Sequence, residues 1–377
     1  VDFSFTEEQQ AAAEAARGVF AGVAPDAVPS PALAVGAVAD TFDRALWRKL
    51  ADADLLSLLL DGAYGGAGLD AVALCLVLSE SAKVLARVPL LESSAAMAAV
   101  QAYGGEELKS ALLERAGRGE LVLTVAASGR TGHDPAELAV TARQEGAEWV
   151  LDGMQTAVPW AYDADLVVVP AHTASGHPVL ALVAPDGAGV VLAEQFSTTG
   201  ERLGELRLES ARIAARNVLD AEGAWEWLRH LLAVGTCAQA LGLGRQVLRM
   251  TSEYTGKREQ FGFPVATFQA VAVQAADRYI DLKAMEATLW QAAWRLGAGA
   301  QGTLPVSGEV AVAKIWASEG ARRIVQTAQH LHGGFGADVD YPLHRYHAWA
   351  KHLELSLGPA AAHEDALGDL LAAHPLG

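Results

Sequence analysis

The sequence predicts a mixed α+β chain in three parts, helical, then β, then helical. Three observations carry that prediction. Ala- and Leu-rich residues recur at helical spacing from Thr6 to about Gly119, short β-favouring runs fill the stretch from Leu121 to Leu219, and long Ala/Leu periodicity returns from Ala224 onward. The boundaries expected from these changes are 1–119 for an N-terminal α-helical domain, 120–219 for a middle β-barrel or sandwich domain, and 220–377 for a C-terminal α-helical domain.

In the first part, Thr6 followed by Glu7, Glu8 and Gln9 offers a helix N-cap with acids in the first turn. Gly65-Gly66, Gly104-Gly105 and a turn at Pro89 divide the region into several helices. No strand precedes Gly65-Gly66, so a loop is expected there rather than a phosphate cradle. In the second part the runs LVLTVAAS, LAVTARQ, EWVLDG, ADLVVVPA, HPVLALVA and GVVLAEQ are separated by Gly, Pro, Asp or other polar residues, which implies about seven strands. Pro-rich linkers, charge blocks and internal repeats are lacking, so the β part is expected to pack closely on the helices.

Composition narrows the function classes. A chain of 377 residues, 51% apolar and 19% charged, has the length for two or three domains and too much hydrophobic matter to stay disordered. With 28 Lys and Arg against 45 Asp and Glu, the formal charge of −17 repels nucleic acid and anionic lipid, although a local basic pocket can still hold a phosphate. The two cysteines, Cys75 and Cys237, lie far apart with no CxxC or His-rich companion, which indicates neither a disulfide framework nor a zinc site. Apolar runs such as 166–171 and 179–184 fall short of the roughly 20 residues that span a bilayer, and the acidic N-terminus lacks the basic segment of a secretory signal. A reducing cytoplasm is the expected setting, without a membrane or nucleic-acid partner.

The segment Arg258-Glu259-Gln260-Phe261-Gly262-Phe263-Pro264, followed by Phe268-Gln269, reads as a helix end, a turn and a helix start. Arg258 there has two readings: a surface cation favoured by the helix dipole, or a fixed guanidinium whose rigid fork chelates a phosphate.

REQFGFPVATFQAVA, with ALGLGRQVL before it and QHLHGGFGADVDYPLHRY after it, resembles the C-terminal helical domain of the acyl-CoA dehydrogenases. FSFTEEQQ, YGGAGLD, ARVPLLE and WVLDGMQTAVPWAYDADLVVVPA extend the resemblance over almost the whole chain, in the family's domain order. It implies a C-terminal four-helix bundle, FAD as cofactor, and removal of an α-proton and a β-hydride from an acyl-CoA to give the 2,3-enoyl thioester. That chemistry needs a carboxylate at the α-carbon, a cradle holding the isoalloxazine ring at the β-carbon, and donors anchoring the cofactor's pyrophosphate and adenine end.

This chain departs from the family's pattern at the first two. Counting from Gly333-Gly334-Phe335-Gly336, the family's Tyr-Glu-Gly-Thr stretch becomes Ser356-Leu357-Gly358-Pro359, so Leu357 stands where the base belongs. A minority of the family places the base on an earlier helix, whose ungapped counterpart is about Leu232. Glu354 and Glu226 are the nearest substitutes, but each is displaced by about a helical turn (~5.4 Å) or more, and Glu354 has an ordinary reading as a partner of Lys351. The ring cradle is thinned as well. The Thr-Glu-Pro-x-x-Gly-Ser-Asp-like run reads Ala127 to Asp134 with only Gly132 and Asp134 kept in type, and Ala157-Val158-Pro159 replaces the Trp-Ile-Thr or Trp-Ile-Ser expected after Gly153. Trp160 is close by, but the pleat is expected to turn it to the opposite face.

The adenosine-side elements survive better. The resemblance assigns cofactor binding to Arg258, Gln260, Phe261, Gln269, Gly333 and Gly334, with His330 standing where the family has Gln. His330 and His332 each have the donors to meet a phosphate, and each has a structural reading as a satisfied helix-end histidine. Family members build each flavin site from two chains, one supplying ring pocket and base, the neighbour extending its Arg-x-x-Phe-Gly turn to the ADP portion. This chain resembles the neighbour. The implied partner is a related subunit carrying the base Glu, in an αβ heteromer assembled as a dimer of dimers, of the kind that actinobacteria use on bulky acyl-CoAs such as steroid side chains. A self-sufficient flavoenzyme with a relocated base and a flavin-free scaffold are the competing readings. Lastly, His344, Arg345, Tyr346, His347, Trp349, Lys351 and His352 crowd one helix, where a partner-facing surface is expected rather than a metal site.

Overall fold

The computed structural model describes residues 4–31, 33–39, 41–132, 134, 137–299 and 304–374. Five helices come first: α1 (Glu7–Phe20), α2 (Arg44–Asp52), α3 (Ala71–Lys83), α4 (Leu90–Tyr103) and α5 (Glu106–Gly117). Thr6 caps α1 as its sequence suggests, its Oγ1 accepting from Gln9 N while Gln9 Oε1 accepts from Thr6 N, a reciprocal capping box. The Gly65-Gly66 segment is a tight turn rather than a slack loop: a Cβ on Gly66 would meet the Leu60 carbonyl oxygen at 2.0 Å.

Eight strands follow: β1 (Leu123–Val125), β2 (Val140–Glu145), β3 (Glu148–Val158), β4 (Leu166–His172), β5 (Pro178–Val183), β6 (Val190–Phe196), β7 (Arg202–Ala214) and β8 (Val218–Leu219). They form a single sheet in the order β6-β7-β3-β2-β4-β5-β8, with β1 pairing β4 in parallel, and the hydrogen-bonded path does not close. The sheet wraps a core of its own, in which Val140, Leu151, Val167, Val169, Ala181 and Leu206 are almost fully buried.

The last part holds α6 (Ala224–Lys257), the hairpin β9 (Glu259–Gln260) and β10 (Phe263–Pro264), then α7 (Gln269–Ala298), α8 (Val306–His332), α9 (Leu343–Leu355) and α10 (Ala360–Ala373). A second core runs without a break from α1 through α3 and α4 into α6, α7 and α8. Glycines on α6 make that continuity possible, since a Cβ on Gly242 would sit 2.0 Å from Ser79 O of α3 and one on Gly235 would sit 2.2 Å from Leu91 Cδ1 of α4. The ALGLG run is therefore a packing surface on which α3 lies. Cys75 and Cys237 are buried free thiols on these same two helices, and burial raises the pKa of both.

By length and composition α6 could cross a bilayer, which the apolar runs of the sequence did not disclose, yet 78% of its most apolar window is buried inside the protein. It is the central helix of the core. The helix crowded with His, Arg, Tyr and Trp, α9, is also a core element, which corrects the expectation of a partner-facing surface. Tyr346 is fully buried with its hydroxyl donating to Lys83 O at 2.6 Å, His344 is buried with Nδ1 against Tyr341 O at 2.8 Å, and Arg345 reaches Asp26 O at 3.1 Å. Tyr346 and Arg345 thus find partners in distant parts of the chain, while His344 Nε2, Arg345 Nε and Trp349 Nε1 are buried without a hydrogen-bond partner.

Candidate functional site

Two regions contain the residues singled out by sequence. The first is a cavity of about 350 Å³ where the sheet meets α4, α6 and the end of α9. Leu232 from α6 and Leu357 from the turn after α9 both line it, together with Thr236, Gln239, Leu91 and Glu92. The two apolar residues that the resemblance sets at the base positions thus line one space.

The turn carrying Leu357 is held firmly. Leu357 adopts φ +58°, its carbonyl oxygen accepts from His363 Nε2 at 2.9 Å, and the buried Lys314 ammonium donates to the Leu353 and Glu354 carbonyls, each at 3.1 Å. Lys314 thereby satisfies carbonyls that α9 leaves open at its C-terminus. Glu354 is turned from the cavity and its carboxylate pairs with Lys351 at 2.8 Å. Glu226, further back on α6, faces His230 at 4.0 Å.

A carboxylate that sequence reading passed over does line this cavity. Glu92 on α4 accepts from Trp160 Nε1 at 3.1 Å, and burial raises its pKa to about 7. Its signal was present in the sequence as a lone acid within the apolar run LLESSAAM. Trp160 itself sits in the turn after β3, buried edge-on against Phe42, and does not line the cavity.

The β wall of the cavity is formed by Val125, Ala127, Ser128, Gly132, Ala157 and Pro159, with Phe196 to Thr198 and Leu203 beside them. The Ala157 amide on this wall, and donors on the adjoining residues 130, 131 and 156, are engaged inside the chain. Ala157 N donates to Gln195 Oε1 at 2.8 Å, Thr156 Oγ1 lies 3.1 Å from the same oxygen, and Glu137 Oε2 accepts from Arg130 N at 2.8 Å and Thr131 N at 3.3 Å. His133 lies outside the described residues. This wall offers a flavin ring no aromatic side chain from β3 and no free backbone N–H at Ala157, and so it does not fit the ring end of FAD.

The second region is exposed. Arg258 ends α6 and its side chain makes no ion pair among the described residues. It lines a groove of about 830 Å³ with Arg17, Lys83, Arg249 and Lys257, where the C-termini of α1, α3 and α6 converge and their dipoles favour cations. Beyond it, Phe261 (φ +54°) and Gly262 (φ +80°) make the two-residue turn of the β9–β10 hairpin. A Phe in that left-handed region is an outlier, and this one is 91% exposed at the tip. Val265 N returns to Arg258 O at 2.8 Å, which fixes the hairpin against the helix end and leads into Gln269, the first residue of α7. Gln260 is exposed, its amide donating to Glu259 O.

Tyr254 links this hairpin to the glycine turn. One helical turn before Arg258, its ring stacks on His332 at 4.4 Å and on Phe335 at 5.4 Å. Gly333 (φ +60°, ψ −141°) has a conformation only glycine adopts readily, and Gly334 is exposed with open space where a Cβ would stand. His330 is exposed beside them. His332 is buried, Nδ1 against Ala328 O at 2.8 Å and Nε2 against the Tyr341 hydroxyl at 3.1 Å, so it is a structural histidine. An exposed guanidinium with no ion pair among the described residues and a glycine turn open to backbone approach are the donors and the clearance that the phosphate end of a dinucleotide needs; Gln260, Gln269 and His330 are exposed as well.

Comparison with known proteins identifies the family. The family model described as acyl-CoA dehydrogenase, N-terminal domain, matches residues 6–120, and that described as acyl-CoA dehydrogenase, C-terminal domain, matches residues 229–371. Acyl-CoA dehydrogenase FadE27 of Mycobacterium tuberculosis is 38% identical over 339 residues, covering 89% of this chain and 90% of that protein. The ChsE4-ChsE5 complex from Mycobacterium tuberculosis contains a chain 36% identical, with a TM-score of 0.89 and full coverage of both chains. The steroid ACAD Tcur3481-Tcur3483 contains another at 36% identity and TM-score 0.89, covering 97% of this chain and 98% of that one. The chain belongs to the acyl-CoA dehydrogenase family, flavoprotein oxidoreductases that act on a CH–CH bond.

Proposed function

We propose that this chain is the subunit without the catalytic base in a heteromeric αβ acyl-CoA dehydrogenase, a dimer of dimers of cytoplasmic location. Its three domains are taken as 1–119, 120–219 and 220–377. The observation that carries the reading is a division between the two regions: both base positions, Leu232 and Leu357, are apolar in one cavity, while the Arg258 side chain, Phe261 and the Gly333-Gly334 turn are exposed and Arg258 makes no ion pair among the described residues. Residues that face outward with no internal use point to a neighbouring molecule.

In this reading the related partner subunit holds the acyl-CoA and supplies the Glu that takes the α-proton. FAD bound across the two chains would supply the acceptor for the β-hydride. Arg258 pairs with the pyrophosphate through its fork, Gly333 and Gly334 allow close backbone approach, and Gln260, Gln269 and His330 surround the adenosine end. Phe261, Phe263, Val273, Tyr279 and Ile280, each more than half exposed, give the hairpin and the first half of α7 an apolar surface of the type that a subunit interface covers. The substrate class is a bulky acyl-CoA, supported by the similarity to the steroid ACAD Tcur3481-Tcur3483.

Glu92 supports a second reading, a self-sufficient enzyme with its base relocated to α4, because it lines the cavity with a pKa raised to about 7, suited to proton transfer at neutral pH. The visible absorption spectrum separates the two. The lone chain is expected to be colourless and the co-expressed αβ complex yellow. Stoichiometric flavin in the lone chain would overturn the subunit reading and make Glu92 the residue to replace.

A further inference from the structure

The loop from Ala127 to Gly132 contains a contact that the family resemblance does not explain. Arg130 and Thr131 present successive backbone N–H groups to one point, and that point is occupied by Glu137 Oε2, at 2.8 and 3.3 Å. Successive N–H groups converging in a turn form a concavity that binds anions. Gly129 (φ +63°) belongs to the same construction: a Cβ there would come within 2.4 Å of that oxygen and 2.9 Å of Glu137 Cβ, so the carboxylate is seated where a side chain would otherwise stand. Gly129 O in turn accepts from Thr156 N at 2.8 Å, which fastens the turn to β3. At the next residue of β3, the Ala157 N–H is taken by Gln195.

We infer that Glu137 is an internal anion that fills this chain's own phosphate nest and keeps the chain from taking up a phosphate-bearing cofactor at its own β wall. Gln195 does the same for the neighbouring amide. The inference rests on the subunit reading for its biological sense, since a chain that lends its Arg258 to a partner's cofactor gains from not competing for that cofactor itself. Its chemistry stands apart from that reading, because the nest is filled whichever subunit holds the base.

The test uses the full chain and inorganic pyrophosphate, titrated by calorimetry in an Arg258→Ala background so that the exposed guanidinium does not contribute. Arg258→Ala alone is expected to show no binding at the turn. Adding Glu137→Ala opens the nest, and pyrophosphate then binds at least about 10-fold more tightly than to the parent, as two charge-assisted hydrogen bonds would give. Glu137→Gln, whose amide oxygen still accepts from both N–H groups, is expected to stay as weak as the parent. Glu137→Thr, too short to reach the N–H pair, repeats the Ala result if Ala disturbs folding.

Equal pyrophosphate affinity in the parent and in both short-side-chain variants would overturn the inference. So would binding by Glu137→Gln that matches Glu137→Ala. Failure of the subunit reading has a different signature: no flavin in the wild-type αβ complex, with the pyrophosphate titrations unchanged.

Discussion

Leu232 on α6 and Leu357 in the turn after α9 line one cavity, and neither can accept a proton. The turn at Leu357 keeps a defined geometry regardless, through His363 on its carbonyl oxygen and Lys314 on the preceding helix end. A carboxylate placed at 357 would therefore be well positioned and still idle, because the Ala157 amide on the β wall of the same cavity is engaged by Gln195. With a partner whose own base is replaced by Gln, the Leu357→Glu complex is expected to show no turnover above that of the base-less complex. Recovered turnover would mean that the flavin ring lies in this chain.

Lys314 is 1% exposed, and burial lowers its pKa to about 8. Its three hydrogen bonds, to Ser318 Oγ, Leu353 O and Glu354 O, all at 3.1 Å, offset the cost of burying it. Lys314→Met keeps the volume and takes the ammonium donor from both carbonyls, leaving Glu354 O only the Ser318 hydroxyl at 3.4 Å, at a cost of about 2 kcal/mol. The urea midpoint of the variant is expected to fall accordingly, with α9 and α10 exchanging amide hydrogens earlier than α6.

The three-part organisation was legible because helical and alternating periodicities differ in the sequence, and the Arg258 hairpin was legible because its residues lie consecutively. What was not legible depends on contacts between distant segments. The polar side chains of α9 read as a surface, yet Tyr346 reaches Lys83 and Arg345 reaches Asp26, partners several hundred residues away in the chain. Glu137 is only a few residues from Arg130, but its role follows from the left-handed backbone at Gly129, which composition does not announce. Glu92 was visible as an acid in an apolar helix, but its place in the cavity depends on how α4 packs against the sheet.

Stability should vary with pH through Glu201. It is 5% exposed, its Oε1 has no hydrogen-bond partner, and burial first, then the charge of Glu92, raises its pKa to about 8. Arg87, the nearby cation, is already engaged by Asp26 and by Thr199 O at 2.9 Å. A carboxyl with a raised folded pKa holds its proton longer in the folded state than in the unfolded one. Its contribution is complete below the usual carboxylate range and is lost as pH rises towards 8. His230, His352 and His363, each lowered to about 4 by burial, act oppositely, but only below their usual value near 6.5. Between pH 6.5 and 8 the carboxyl terms are therefore left to dominate among these groups, and the melting temperature is expected to fall across that window. Glu201→Gln should flatten the fall; an unchanged slope would show that Glu201 ionises normally.

Phe261 separates folding from association. Its φ of +54° is costly for a bulky side chain, and its ring, 91% exposed, touches only Phe268, at 6.3 Å between centroids. Asn tolerates the left-handed region far better, so Phe261→Asn removes the ring and relieves the turn together. The isolated variant is expected to melt at or slightly above the wild-type temperature. If the hairpin tip is seated in the partner, losing a buried aromatic there costs about 2 kcal/mol, roughly a 30-fold weaker αβ association in sedimentation or titration experiments. Flavin retention should drop with it, since Arg258 is carried on the same hairpin stem. A variant that melts higher and assembles as tightly as wild type would show that the hairpin faces solvent in the complex and would move the cofactor's adenylate end elsewhere.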